Sequence, residues 1–128
     1  MKAIIALALL SQIAAAAPAL NKKVQCKMPW ETETLTFDFS FSRPNRAKAI
    51  LVLDAGGPDE QRADLGARVQ VTPAGRSVGV GFFMGVLVFE FPAAIFEAAS
   101  AGRPTSVTVN ANIEGDESSA QVTCVAKR

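Results

Sequence analysis

Apolar and polar residues alternate most sharply at 34–41, where Leu35, Phe37, Phe39 and Phe41 fall on one side and Thr34, Thr36, Asp38 and Ser40 on the other. Successive side chains of a strand point to opposite faces, so this stretch predicts a strand with one apolar and one wet face. A helix would scatter the same aromatics around its circumference. The phenylalanine face requires an opposing apolar layer, and much of the remaining chain reads as supplying it.

The same period recurs at 22–28, with Val24, Cys26 and Met28 set against Lys23, Gln25 and Lys27. That strand is expected to end at Pro29, which has no N–H for further pairing. It recurs at 65–72, where Leu65, Ala67, Val69 and Val71 oppose Gly66, Arg68, Gln70 and Thr72. It recurs again at 105–113, with Val107, Val109, Ala111 and Ile113 inward, and at 120–126, with Val122, Cys124 and Ala126 inward. The segment 47–54 is apolar on both sides from Ala49 to Leu53, as a central, well-covered strand would be. Residues 77–91 form the most apolar part outside the N-terminus, too long for one ordinary strand and too short to cross a membrane as a helix. They read as two strands, 77–83 and 86–91, joined by a tight turn near Met84-Gly85. Gly79 and Gly81 share one face there, which is expected to receive the phenylalanine face of 35–41.

Breaker-rich turns at 42–46, 73–76 and 114–118 separate these runs. Only 92–101 reads as a helix: Pro92 suits a first helical position, alanines propagate it, and Gly102 suits the stop. The predicted fold is therefore all-β, an antiparallel β-sandwich or small barrel of seven to eight strands with one short helix near 92–101.

The N-terminus changes the compartment. Lys2, an apolar run, small residues at 14–17 and Ala19 after Pro18 have the layout of a secretory signal peptide. Ser11-Gln12 interrupts the run, which falls short of the ~20 apolar residues of a membrane span. Residues 1–19 are expected to be cleaved, after Ala19 or Ala16, leaving a single domain at 20–128 that is secreted or, in a bacterium, periplasmic. The chain has only two cysteines, Cys26 and Cys124, and export makes a disulfide the expected state of such a pair. The first and last strands should then lie side by side or face each other.

Lys2 is the only charge removed with 1–19, so 12 basic and 12 acidic residues remain. A net charge of zero implies no long-range field drawing the domain to nucleic acid or an anionic membrane. The chain has no histidine, which closes off Ser-His-Asp and Cys-His catalysis and leaves a zinc site poorly supported. Around Ser77, Gly-Arg-Ser-Val-Gly has the outline of a nucleophile elbow, but a Gly/Val strand follows where a helix is needed. No phosphate-binding loop is present, and no cofactor is implied. An outer-membrane barrel would need aromatic girdles, whereas the chain has no tyrosine and one tryptophan. Stable membrane insertion is not expected.

Asp54, Asp59, Glu60 and Asp64 form the one acidic cluster worth weighing as a calcium site, but their spacing follows no calcium loop and Arg62 sits among them. The functional expectation is a non-enzymatic binding or protein-interaction module for a protein or glycan partner. The alternative is a secreted enzyme inhibitor acting through a protruding loop at 55–63. Contacts are expected first at Trp30, Glu31, Glu33, Asp59 and Glu60, on loops held by a rigid sheet.

Overall fold

The computed structural model describes residues 20–82 and 84–128; the expected signal peptide, 1–19, and Phe83 lie outside the described residues. The chain runs as an antiparallel meander: β1 (Lys23–Trp30), β2 (Glu33–Arg43), β3 (Arg46–Leu53), β4 (Gln61–Leu65), β5 (Ala67–Thr72), β6 (Gly75–Phe82), β7 (Gly85–Pro92), β8 (Pro104–Ile113) and β9 (Asp116–Lys127). These pair in the order β4-β3-β2-β1-β9-β8-β7-β6-β5, a nine-stranded sheet curled into a nearly closed barrel. The all-β expectation holds, with a strand count slightly above seven to eight.

The extra strand arises at one place. The sequence places 61–63 in a polar loop and begins a strand at Leu65, whereas Gln61–Leu65 forms a strand of its own that pairs with β3 from Leu53↔Gln61 to Ala49↔Leu65. Gln61, Ala63 and Leu65 share the inward parity of Leu53, Leu51 and Ala49, but only Leu65 packs against the core, too little apolar surface to set up a visible period. Gly66 then separates β4 from β5, and the chain changes neighbour there: β5 pairs with β6, starting at Ala67↔Val80. The two edges of the sheet are thus consecutive in sequence, and the ring is completed by the chain itself. A single bond from the Gly81 N–H to the Gly66 carbonyl, 3.3 Å, spans the junction.

At the opposite side of the ring β1 pairs with β9, placing Cys26 directly across from Cys124. The two form a disulfide, fully buried, with Cα atoms 4.1 Å apart. First and last strands do lie side by side.

Within the ring Phe37 and Phe39 of β2 face Phe89 and Phe91 of β7, and the rings meet largely edge to face. Centroids lie 4.9 Å apart for Phe39–Phe89, 5.1 Å for Phe39–Phe91 and 5.2 Å for Phe37–Phe89. Phe41 continues the ladder against Phe96, at 5.0 Å. All of these rings are buried, so the described interior is a packed aromatic core and not a ligand-holding calyx. The opposing layer differs from expectation in one respect. Val78, Val80 and Phe82 of β6 turn inward and are buried, while Gly79 and Gly81 lie on the outer face. Both parities of this strand are apolar, and the one with side chains buries more surface.

Residues 92–101 form two successive 3-10 turns, Ala93–Phe96 and Ala98–Ser100, in place of one helix. Asn21 explains the interruption. Its side-chain amide donates to the Ile95 and Glu97 carbonyls, and its backbone N–H donates to the Phe96 carbonyl. Carbonyls that a continuous helix would use internally are taken by the N-terminal segment, and Glu97 is extended. Ile95 and Phe96 still plug the barrel end, as their apolarity requires.

Gly75 sets a limit on the adjoining turn: a Cβ there would lie 1.9 Å from the Phe91 carbonyl oxygen, a backbone atom of the paired strand. Gly75→Ala is expected to destabilise the fold by about 2–4 kcal/mol through forced strand separation. Urea denaturation checks this, and an unchanged midpoint would show that the β5–β6 turn rearranges freely.

Candidate functional site

In a meander, alternate turns lie at the same end of the barrel. One end holds the β1–β2 turn, the 54–60 loop, the β6–β7 turn and the β8–β9 turn, and with them Glu31, Glu33, Asp54, Asp59, Glu60, Glu114, Asp116 and Glu117. The other end holds the N-terminal segment, the β2–β3 and β5–β6 turns, the β7–β8 connection and the C-terminus. Its charges are Lys22, Lys23, Arg43, Arg46, Arg76, Arg103, Lys127 and Arg128, opposed by Glu97 and, just inside the end on β7, by Glu90. Zero net charge therefore conceals an acidic pole and a basic pole, and the expectation of no directing field holds only for the sum.

The acidic pole contains the residues singled out from sequence. Trp30 is half-buried, packs against the core and meets Phe82 edge-on at 5.3 Å, so it covers one barrel end. Glu31 occupies the two-residue turn after it, with φ 54°, and is exposed. Glu33 and Asp59 come together in one shallow polar concavity with Lys27, Thr36 and Asp54, from which Trp30 and Glu31 are absent. The loop acids are engaged locally. The Asp54 carboxylate accepts the Asp59 N–H at 3.1 Å, and Glu60 accepts the Gly56 N–H at 3.0 Å. Arg62 reaches across β3 to Asp38 on β2 at 3.2 Å and lies 3.8 Å from Glu60. Among the described residues no group of three or more acidic or cysteine side chains is placed to share a metal ion. Ser77 lies in β6 with its hydroxyl donated to Glu90, its cross-strand neighbour on β7.

A second concavity lies at the basic pole, on residues that sequence reasoning did not select. Where β5 leaves β3 the barrel wall parts, because β3 pairs with β4 only from Ala49 onward and β5 pairs only with β6. The resulting groove encloses about 910 Å³, within the range of ligand clefts. Ala47, Ala67, Val69 and Phe41 give it an apolar floor; Lys22, Lys23, Arg46, Lys48 and Arg68 give it a cationic rim, with no acid in its lining. Lys48 makes one loose pair with Asp64, 3.7 Å apart and exposed, worth well under 1 kcal/mol. Lys22, Lys23, Arg46 and Arg68 make no ion pair among the described residues.

A further cation, Arg76, stands beside this groove. The Arg76 guanidinium lies 3.8 Å from the Phe96 ring centroid and 5.1 Å from that of Phe41, and it lines a small cleft with Lys22 and Arg43. Partial burial lowers its pKa from the ordinary arginine value, yet arginine remains charged at any physiological pH. Stacked on rings and free of any carboxylate among the described residues, it is a preorganised donor.

No protein-family model matches this chain, and neither a curated protein nor a solved structure is similar enough to it to count as a match.

Proposed function

We propose that this chain is an exported, non-enzymatic binding domain that holds an anionic ligand along the groove between β3 and β5. The observation that carries this reading is the lining itself: an apolar floor and a cationic rim with no internal counter-charge. Cations held without internal partners offer an incoming anion charge-assisted hydrogen bonds for which no acid of the groove competes. The aromatic interior leaves no room for a ligand inside the ring, which directs binding to the outer wall. The inverted pattern of a membrane barrel is not met either, since Lys23, Lys27, Asp38 and Lys48 occupy outward positions where lipid would lie. Among the described residues no helix is long and apolar enough to cross a membrane. Export is supported by the sequence of 1–19 and by the disulfide. The non-enzymatic reading is supported by the absence of histidine and the oxidised state of both cysteines.

Immobilised heparin and immobilised poly-glutamate test the groove together. Retention of the wild-type protein on at least one, falling steeply with salt, is expected. Arg46→Glu with Arg68→Glu, both exposed, should weaken that retention about tenfold or more without shifting the thermal midpoint. Equal retention of the double variant, or no retention of the wild type on either matrix, would remove the groove as the binding site.

A further inference from the structure

The groove is bordered by backbone as well as by charge. Residues 46–48 of β3 have a partner only in β2, and all of β5 has a partner only in β6, so two strand edges face each other across the gap. Natural sheets usually blunt such edges with charge, proline, bulges or covering segments. The other edge strand, β4, is blunted in this way: Arg62 and Asp64 are exposed on it and both take part in ion pairs. In contrast, β5 has no proline, pairs without a bulge and carries Arg68 as its single charge. Its inward parity is Ala67, Val69 and Val71, of which Val71 is 55% exposed. An unguarded apolar edge of this kind is a template for strand addition.

We infer that the groove takes an extended acidic peptide segment of a partner protein, added as a strand along the free edge of β5. This rests on the groove reading above and names its ligand. The alternation of a strand sorts the contacts. Small apolar side chains of the incoming segment would point toward Ala47, Val69 and Val71, while its alternate acidic side chains would emerge beside Arg46, Lys48 and Arg68. Main-chain hydrogen bonds to β5 would supply affinity, and charge would select for acid. Residues 1–19 are an unsuitable occupant, since they contain Lys2 and no acid. Nucleic acid is disfavoured because every phenylalanine ring among the described residues is buried in the core, and none of them offers a platform on which bases would stack.

The probe is a capped peptide of alternating glutamate and valine, matched in length to the six residues of β5. Its controls are the same peptide N-methylated at alternate positions on the pairing edge, and a lysine-for-glutamate version. The expected result is binding of the first peptide with amide exchange slowed across Ala67–Thr72, weakened about tenfold or more by N-methylation and by Arg68→Glu, and absent for the lysine version. Unchanged exchange in β5 at saturating peptide, or equal affinity after N-methylation, would overturn strand addition. Heparin binding sensitive to Arg68→Glu, with no peptide binding, would overturn it while leaving the groove reading intact. Failure of heparin, poly-glutamate and peptide alike would remove both. A protein that instead dimerises at low salt through β5 would make a second copy the occupant and also overturn the proposal.

Discussion

Conversion of both Cys26 and Cys124 to alanine is expected to remove about 4–5 kcal/mol of stability, the chain-entropy value for a loop closed across a sequence separation of 98 residues. For a domain of this size that corresponds to a fall in thermal midpoint of roughly 15–30 °C. Folded domains have only about 5–15 kcal/mol in total, so the doubly substituted protein should approach or cross its unfolding threshold at 37 °C. The native fold need not change, because β1 and β9 remain paired by backbone bonds from Lys23↔Lys127 to Lys27↔Thr123. Calorimetry of the oxidised, reduced and doubly substituted proteins provides the measurement. A loss below about 1 kcal/mol would show that β1 and β9 stay associated in the unfolded ensemble without the sulfur link.

Phe39→Ala, with the disulfide intact, should cost about 3–5 kcal/mol. Phe39 is almost wholly buried and its ring lies 4.9 Å from Phe89 and 5.1 Å from Phe91, so truncation opens a void in the centre of the ladder. Phe39→Leu, which conserves more volume, should cost about 1–2 kcal/mol. A double-mutant cycle with Phe89→Ala should show a coupling of about 0.5–1.5 kcal/mol, reflecting the edge-to-face contact beyond area burial. Urea unfolding of the wild type, the three single variants and the double variant reads all of these quantities. Additive losses would mean that the two rings fill space independently.

Much of the fold was legible because burial on one side of a strand imposes a period of two. The stretch 34–41 and the strand 105–113 were readable for that reason, the cysteine pair from its number and the expected export, and the inward parities of β1, β2 and β9 are those of the sequence pattern. Three features were hidden by competing physics. Strand β4 packs only Leu65 against the core, so its pairing is set by its neighbour and not by its own hydrophobicity. In β6 both parities are apolar, and alternation alone does not decide whether glycine or valine goes inside. At 92–101 local helix propensity yielded to long-range hydrogen bonds from Asn21, more than 70 residues away in sequence.

The candidate site was less legible than the fold. Trp30 and the acids of 54–60 stand out locally, yet Trp30 is spent on core packing and Asp54 and Glu60 on bracing their own loop. The basic pole is assembled from residues scattered from Lys22 to Arg128. Its signal was topological: once a meander is drawn, the chain start, alternate turns and chain end fall together, and nearly every charge at those positions is positive. Net charge is a sum over residues, and it discards the arrangement that a partner would meet.

The position of the sulfur bridge also fixes how the molecule would respond to mechanical load. A force applied at Leu20 and Arg128 reaches the covalent crosslink after only a few residues on each side. Everything between Cys26 and Cys124, which includes the open edge of β5 and the groove lining from Ser40 to Val69, is shielded from extension, whereas Lys22 and Lys23 of the rim lie on the loaded tail. A ligand held there would lose the two lysines of the tail and keep the rest of its seat while the ends were drawn taut.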